Sequence, residues 1–596
     1  MVKELEYPFD ADYIVAKKKK IKRELLGDEA ASFVEKKIAI LGGSTTANII
    51  QIMELFLLNQ GIKPEFYESE YNKYYEDAVF DNPELMEFGP DIIYVCTSNR
   101  NITTYPDMTM DAAAVDELLA NEYGKLEAVW SALESRYHCP IIQNNFEMPL
   151  YRLLGNRDAY DFHGATNFLT RLNMRLYDYA MAHENFHICD LNYISADYGL
   201  KAWADPFYWY MYKYAMSVPA IPYLSFNVAN IIKSLLGRNK KGFVLDLDNT
   251  LWGGVIGDDG VDGIVLGVEE AEGQAYTEFQ RYIKAHQQLG IILNIDSKND
   301  YENAIAGINH PDSEFKESDF ISIKANWDPK DKNFADIASE LTLLPESLVF
   351  IDDNPAERHI VTEQLKGVQA PELDNVVHYI QTIDRSGFFE ATNISADDLK
   401  RNAMYQENAA RAKLESSFTD YGQYLDSLEM TAEIGPFAPV YMARIAQLTN
   451  KSNQFNLTTK RFTQTEIEET AADGDYITLY GKLIDKFGDN GVVTVAIGHV
   501  AGEVCDIDLW LMSCRVLKRD IEYAMMDTMV SQCKARGVKT LRGHYLPTAK
   551  NKMVADFYQL MGFELAESHE DGATDWTLEL SSYENKNRHI SLSAGE

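Results

Sequence analysis

Cysteine is scarce in this sequence: six residues, at 96, 139, 189, 505, 514 and 533, among 596. Their spacing matches neither a metal-ligand set nor a disulfide framework, so a cysteine-stapled or thiolate-metal fold is excluded. Six reduced thiols in a cytoplasmic protein are the expectation. Cations are short as well, with 55 Lys and Arg against 92 Asp and Glu and a net charge of −37. That field repels nucleic acid and anionic membranes, so neither is expected as a partner. An anionic ligand then needs a local device, such as a metal ion or a phosphate-facing lysine. No apolar run approaches the roughly 18 residues of a membrane-spanning helix. The first twenty residues carry Glu4, Glu6, Asp10 and Asp12, and no signal peptide is expected there. One dense basic cluster, Lys17 to Lys20 with Lys22 and Arg23, reads as a solvated face beside a helical segment.

What is present is ordinary globular texture, 46% apolar and 25% charged, over a length that calls for three or four domains. Residues 37 to 41 (KIAIL), 91 to 96 (DIIYVC), 138 to 145 (HCPIIQNN) and 186 to 190 (FHICD) are apolar strands separated by helical stretches. That alternation predicts a parallel sheet covered on both faces. This first domain is expected over 1–220, with a linker over 221–240. Three more strands, GFVLDLD, GIILNID and SLVFIDD, each end in acidic residues and place a second domain at 241–375. Residues 376–430 read as a helical connector, and 431–582 as a mixed α/β domain. A helix is expected near 519–536 and a strand at 539–544. Residues 583–596 read as a loose polar tail. The fold class expected is therefore α/β, in three α/β domains.

The middle domain carries the strongest chemistry. Asp246 and Asp248 stand two apart just past a strand, with side chains on the same side. Ser297 closes the next strand, where a hydroxyl can hold a phosphate oxygen; Lys298 and Asn299 follow it. Lys330 offers a positive charge for the phosphate and the nucleophile. Asp352 and Asp353 close the third strand, where a carboxylate pair can hold Mg²⁺ through oxygen ligands. The C-terminal ends of parallel strands share one edge, so these groups can converge. Two carboxylates facing a phosphate dianion repel it unless a divalent ion and a lysine intervene. Only about fifty residues separate Asp246 from Ser297. That leaves no room for a cap domain beyond the Gly253 to Gly267 hairpin, and an open site is expected.

The strings DLDNTLWGGVIGDDG, SKND, NWDPK and VFIDDNPAER resemble the haloacid dehalogenase (HAD) superfamily, and its FkbH-like branch in particular. The resemblance implies that Asp246 attacks phosphorus and carries an aspartyl-phosphate. Asp248 would be general acid and then base. Asp246, the Asp248 backbone carbonyl and Asp352 would ligate Mg²⁺, with Asp353 direct or through water. Asn249, Thr250, Lys298 and Asn299 would line the substrate. FkbH-like proteins are linked to passing a glyceryl group from 1,3-bisphosphoglycerate to an acyl carrier protein, through a cysteine just before the Ser-Lys-Asn motif. This sequence has Asp296 there, and a carboxylate cannot form that thioester.

The flanking domains share the resemblance. GGSTT and the later TSN look like an SGNH-hydrolase-like domain, with Ser44 at the nucleophile's block and Asn99 at an oxyanion block. Asp205 matches that family's closing aspartate, but Tyr208 takes the place of its histidine. The C-terminal domain resembles a GNAT acyltransferase, with Tyr558 where a proton donor can sit. Lys518 and Asp520 stand where that fold's pyrophosphate loop has glycines. The expected function is a Mg²⁺-dependent phosphatase or phosphotransferase acting on a small phosphorylated acid or sugar. A glyceryl transferase working with an acyl carrier protein and a non-catalytic carrier-binding scaffold are the alternatives.

Overall fold

The computed structural model describes residues 2–27, 33–548 and 550–593. The chain divides into two compact units, residues 1–235 with 390–393, and 236–389 with 394–596. No helix of the described residues is long and apolar enough to cross a membrane.

The first unit is built on five parallel strands: β1 (Val34–Gly42), β2 (Ile62–Glu68), β3 (Ile92–Cys96), β4 (Ile141–Asn144) and β5 (Phe186–Cys189). Their order is β2-β1-β3-β4-β5. The central strand β3 (IIYVC) is buried throughout, as a sheet covered on both faces requires. The edge strand β2 (IKPEFYE) is largely solvent-facing and carries Pro64, a residue that a sheet tolerates only at an edge. Helix Ala11–Leu26 buries Ile14, Ile21 and Leu25 and turns its lysines outward, where Lys22 pairs with Glu54 at 2.7 Å. Over 221–240, which reads as a linker with an apolar helical segment, the chain forms helix Ile221–Leu235. Nearly all of that helix is buried, and it packs on helix Ala47–Asn59. Its proline lies in the first turn, where a missing N–H is harmless.

The second unit holds two sheets. One has four parallel strands, β6 (Gly242–Leu245), β7 (Ile292–Ser297), β8 (Ser322–Ala325) and β9 (Leu348–Ile351), in the order β8-β7-β6-β9. Helix Ala271–Ala285 crosses from β6 to β7, and helix Lys330–Glu340 from β8 to β9. Helix Val376–Arg385, inside the stretch that reads as a connector, belongs to this core. Its Val376, Tyr379 and Ile383 pack with Phe243 and Phe279.

The other sheet is mixed: β10 (Thr431–Gly435), β11 (Phe455–Asn456), β12 (Tyr476–Asp485), β13 (Gly488–Ala501), β14 (Val504–Met512), β15 (Thr540–Tyr545), β16 (Glu564–Ser568), β17 (Thr574–Glu579) and β18 (Ser591–Ser593). The order is β16-β17-β15-β14-β13-β12-β10-β18, with β11 on β14. The β14–β15 pair is parallel, and helix Ile521–Ala535 spans the crossover. Asp485, with no exposed side chain, is held by the buried guanidinium groups of Arg411 and Arg519. The polar tail is not wholly loose. Asp527 accepts hydrogen bonds from the Tyr583 hydroxyl and from the Lys586 and Asn587 backbone N–H groups. The chain is thereby led back so that β18 covers the otherwise open edge of β10.

Candidate active site

In the four-stranded sheet the chain leaves β6 toward β7 and β8 on one side and returns to β9 on the other. That reversal opens a crevice at the C-terminal ends of the strands. Asp246 follows β6 directly, its N–H donating to the Ile351 carbonyl at 2.8 Å. Ser297 ends β7 and Asp352 follows β9, so the two flank Asp246.

Lys330, the first residue of its helix and 2% exposed, reaches between the carboxylates. Its Nζ lies 2.9 Å from Asp246 Oδ1 and 2.6 Å from Asp352 Oδ2. Burial alone would lower the Lys330 ammonium, but the charges of Asp246 and Asp352 push it above its ordinary value. Burial and the nearby Asp246 charge raise Asp352 to about 6, against the pull of Lys330. Asp353 is raised by the same two causes. Carboxylate oxygens of Asp246, Asp352 and Asp353 lie within 4.8 Å of one another. An all-oxygen set of this kind suits a hard divalent ion such as Mg²⁺.

Asp248 points elsewhere. Its Oδ1 accepts from Trp252 Nε1 at 2.9 Å and from the Ile256 N–H at 3.1 Å, and its Oδ2 accepts from Asn299 Nδ2 at 2.8 Å. Three donors hold this carboxyl, and it is not one of the three carboxylates that cluster around Asp246. Asn299 also donates to Ser297 Oγ at 3.3 Å, so it ties those two groups together. Thr250 Oγ1 accepts from the Asp353 N–H at 3.1 Å. Asn249 adopts a left-handed backbone, φ 55°, which asparagine tolerates better than most residues. Its Oδ1 accepts from Gly254 N–H, anchoring the glycine-rich hairpin. Lys298 is paired with Glu357 at 2.6 Å and so faces a carboxylate of the protein. Two residues that spacing did not single out also shape the site. Arg358 Nη1 donates to the backbone carbonyls of both Asp352 and Asp353 at 2.7 Å. Trp252 bonds Asp248. Both belong to strings read above, but only the fold shows what they touch.

Asp296 lies one residue before Ser297 and therefore on the opposite face of β7. It is fully buried; one oxygen accepts from Asn333 Nδ2 at 3.1 Å, and the other has no hydrogen-bond partner. Burial pushes its carboxyl up to about 8, with Lys330 and Asn333 opposing. The acid form is thus held in the fold. The stability it contributes is full below the unfolded value of 3.8 and is lost as pH rises through about 8. Asp296→Asn is therefore expected to be progressively more stable than the parent as pH rises from 4 to 8, measured by thermal unfolding in EDTA. The gain at pH 8 should be on the order of a few kcal/mol. A difference between the two proteins that does not change with pH would contradict the buried neutral acid.

The remaining sequence candidates lie outside this cluster. In the first unit Ser44 is buried, while Asn99 donates its amide to the Glu147 and Met148 carbonyls at 3.3 Å. Asp205 caps a helix by accepting from the Phe207 N–H, and Tyr208 stacks near Tyr212 and Tyr214. A cleft of about 780 Å³ in this unit is lined by Arg100, Tyr105, Glu147, His163, Trp203 and Trp209, among others. Burial lifts the Glu147 carboxyl there to about 7. In the mixed sheet, Tyr558 is fully buried. Its hydroxyl accepts from the His544 N–H at 3.2 Å, and its ring lies where a Cβ at Gly543 would clash at 2.2 Å. Lys518 and Asp520 both adopt left-handed backbones, φ 63° and 60°, so the glycine-like conformation persists without glycine.

Residues 37–233 match the family model described as FkbH, N-terminal domain. The structure is similar to the N-terminal part of the protein BF1531 from Bacteroides fragilis, described as containing a phosphatase domain complexed with Mg. Identity is 28% and the TM-score 0.58, covering 63% of this chain and 99% of that one. The ribosomal-protein-S18-alanine N-acetyltransferase from Escherichia coli also matches, at 14% identity and TM-score 0.21, over 26% of this chain and 99% of that one. No curated protein sequence matches. Residues 37–233 are thus similar to an FkbH N-terminal domain, and 63% of the chain is similar to a structure described as containing a phosphatase domain.

Proposed function

We propose that the chain is a Mg²⁺-dependent phosphoryl-transfer enzyme acting on a small phosphorylated acid or sugar, with Asp246 as nucleophile. The observation that carries this reading is Lys330, held 2.9 Å from Asp246 and 2.6 Å from Asp352 beside Asp353. Asp246, Asp352 and Asp353 would hold Mg²⁺, which when bound neutralises carboxylates and draws charge from phosphoryl oxygens. Lys330 stays charged beside two carboxylates and, with Ser297 Oγ, binds the remaining phosphoryl oxygens. An Asp246 oxygen forms a bond to phosphorus as the bond to the leaving oxygen breaks, and Asp248 delivers its proton to that oxygen. Asp248 then takes a proton from water, which attacks phosphorus and releases phosphate, restoring the Asp246 carboxylate.

Hydrolysis or phosphoryl transfer is favoured over a thioester relay by two facts. No cysteine occurs from 190 to 504, and Asp296 is buried on the opposite face of its strand from Ser297. Phosphate release from a panel of small phosphorylated acids and sugars, with Mg²⁺ or with EDTA, tests the proposal. Turnover on at least one member should require Mg²⁺ and return when the ion is restored. Turnover indifferent to EDTA, or none on any phosphate, would overturn it.

A further inference from the structure

The edge of the mixed sheet carries a second cluster with a different donor chemistry. Strands β16 and β17 are antiparallel, and Glu567 lies directly opposite Asp575. Like charges facing each other across a ladder are destabilising, so this pair calls for a cation. Imidazoles meet it from two sides. His569 Nε2 lies 2.8 Å from Asp575 Oδ2, and His544 Nδ1 on β15 lies 2.6 Å from Asp575 Oδ1. On β15, Leu541 and Tyr545 turn into the core while Arg542 and His544 turn to the other face, so the cluster is open to solvent. Ligand atoms of Glu567, His569 and Asp575 lie within 4.8 Å of one another.

We propose that Glu567, His569 and Asp575 form a binding site for a divalent d-block cation such as Zn²⁺, with His544 positioning the Asp575 carboxylate. One imidazole with two carboxylates is a borderline donor set, which favours such ions over Mg²⁺. It differs in kind from the all-oxygen set at Asp246. Bonds of about 2.0–2.2 Å need the His569–Asp575 pair to open by roughly half an ångström. That adjustment is open to His569, which stands in the turn between β16 and β17. The proton shared by His569 and Asp575 leaves as the ion enters. His544 supplies the outer hydrogen bond that commonly orients a ligating group. The surrounding field also draws cations. Asp506 lies 3.5 Å from His544 and 3.2 Å from Arg542, the cationic side chain nearby. The ion would clip β16 and its turn to β17, and the His544 hydrogen bond would tie that ligand set to β15.

The test uses the full-length, metal-stripped chain with Mg²⁺ in excess, titrated with Zn²⁺ by calorimetry and with Co²⁺ by visible absorption. One equivalent should bind. His569→Gln and Glu567→Gln should each weaken it at least tenfold (about 1.4 kcal/mol), without changing Mg²⁺-dependent phosphate release, while Asp246→Asn keeps the site. Unchanged binding in His569→Gln, or binding that disappears only in Asp246→Asn, would overturn the proposal.

Discussion

Asp246→Asn is expected to reduce Mg²⁺-dependent phosphate release by roughly four orders of magnitude or more, the scale on which enzymes lose a nucleophile. The amide keeps the shape of the side chain but cannot carry a phosphoryl group. The fold should survive, because Lys330 keeps its 2.6 Å contact with Asp352. Activity and stability therefore separate in this variant, which distinguishes a chemical role from a structural one. Rapid acid quench during turnover, followed by peptide mapping, should place an added phosphoryl group on Asp246 in the parent and none in Asp246→Asn. Asp248→Asn gives the complementary test, because its effect should shrink when the substrate has a leaving group that needs no proton. Retention of turnover within tenfold in Asp246→Asn would sink the nucleophile assignment.

Much of this site was legible because its residues sit at strand ends, where a short apolar run and its polar terminus can be read together. Asp246, Ser297 and Asp352 are such residues, and their strands β6, β7 and β9 are buried on both faces. In the two parallel sheets the strands that escaped, β2 and β8, are edges. IKPEFYE is half-exposed and interrupted by Pro64, and SIKA is short and mostly half-buried. Neither shows the continuous apolar run that marks a buried strand. Side-chain partnerships were the other gap. Residue type makes Lys298 a plausible phosphate ligand; in the fold it pairs with Glu357, in the first turn of a helix 59 residues later. Asn299 reads as a substrate contact, and in the fold its Nδ2 donates to Asp248 and Ser297. Long-range pairings like these depend on how the β9 loop folds back, which no local pattern encodes. The cluster at Glu567, His569 and Asp575 was invisible for the same reason. Its members look like surface polar residues until the hairpin register sets them opposite one another.

Lys330→Ala should be the most destabilising substitution at this site, and its effect should depend on Mg²⁺. The ammonium is 2% exposed and stands between Asp246 and Asp352, the latter wholly buried. Removing one partner of a buried ion pair leaves an uncompensated charge, at roughly 3–5 kcal/mol. Part of that loss is relieved if Asp352, already raised to about 6, takes up a proton; the variant should then regain stability as pH falls toward 5. A divalent ion at the same carboxylates supplies the missing positive charge. Because binding to the folded state alone stabilises it, Mg²⁺ should raise the melting temperature of Lys330→Ala more than that of the parent, in which the lysine already holds those oxygens. Turnover should nonetheless stay low at saturating Mg²⁺, since the ion replaces the charge but not the contact with the phosphoryl group. Thermal unfolding of both proteins in EDTA and across a Mg²⁺ titration checks this. Equal melting shifts in the two would mean that the ion and Lys330 do not share the Asp246 and Asp352 oxygens, and the metal assignment would have to move.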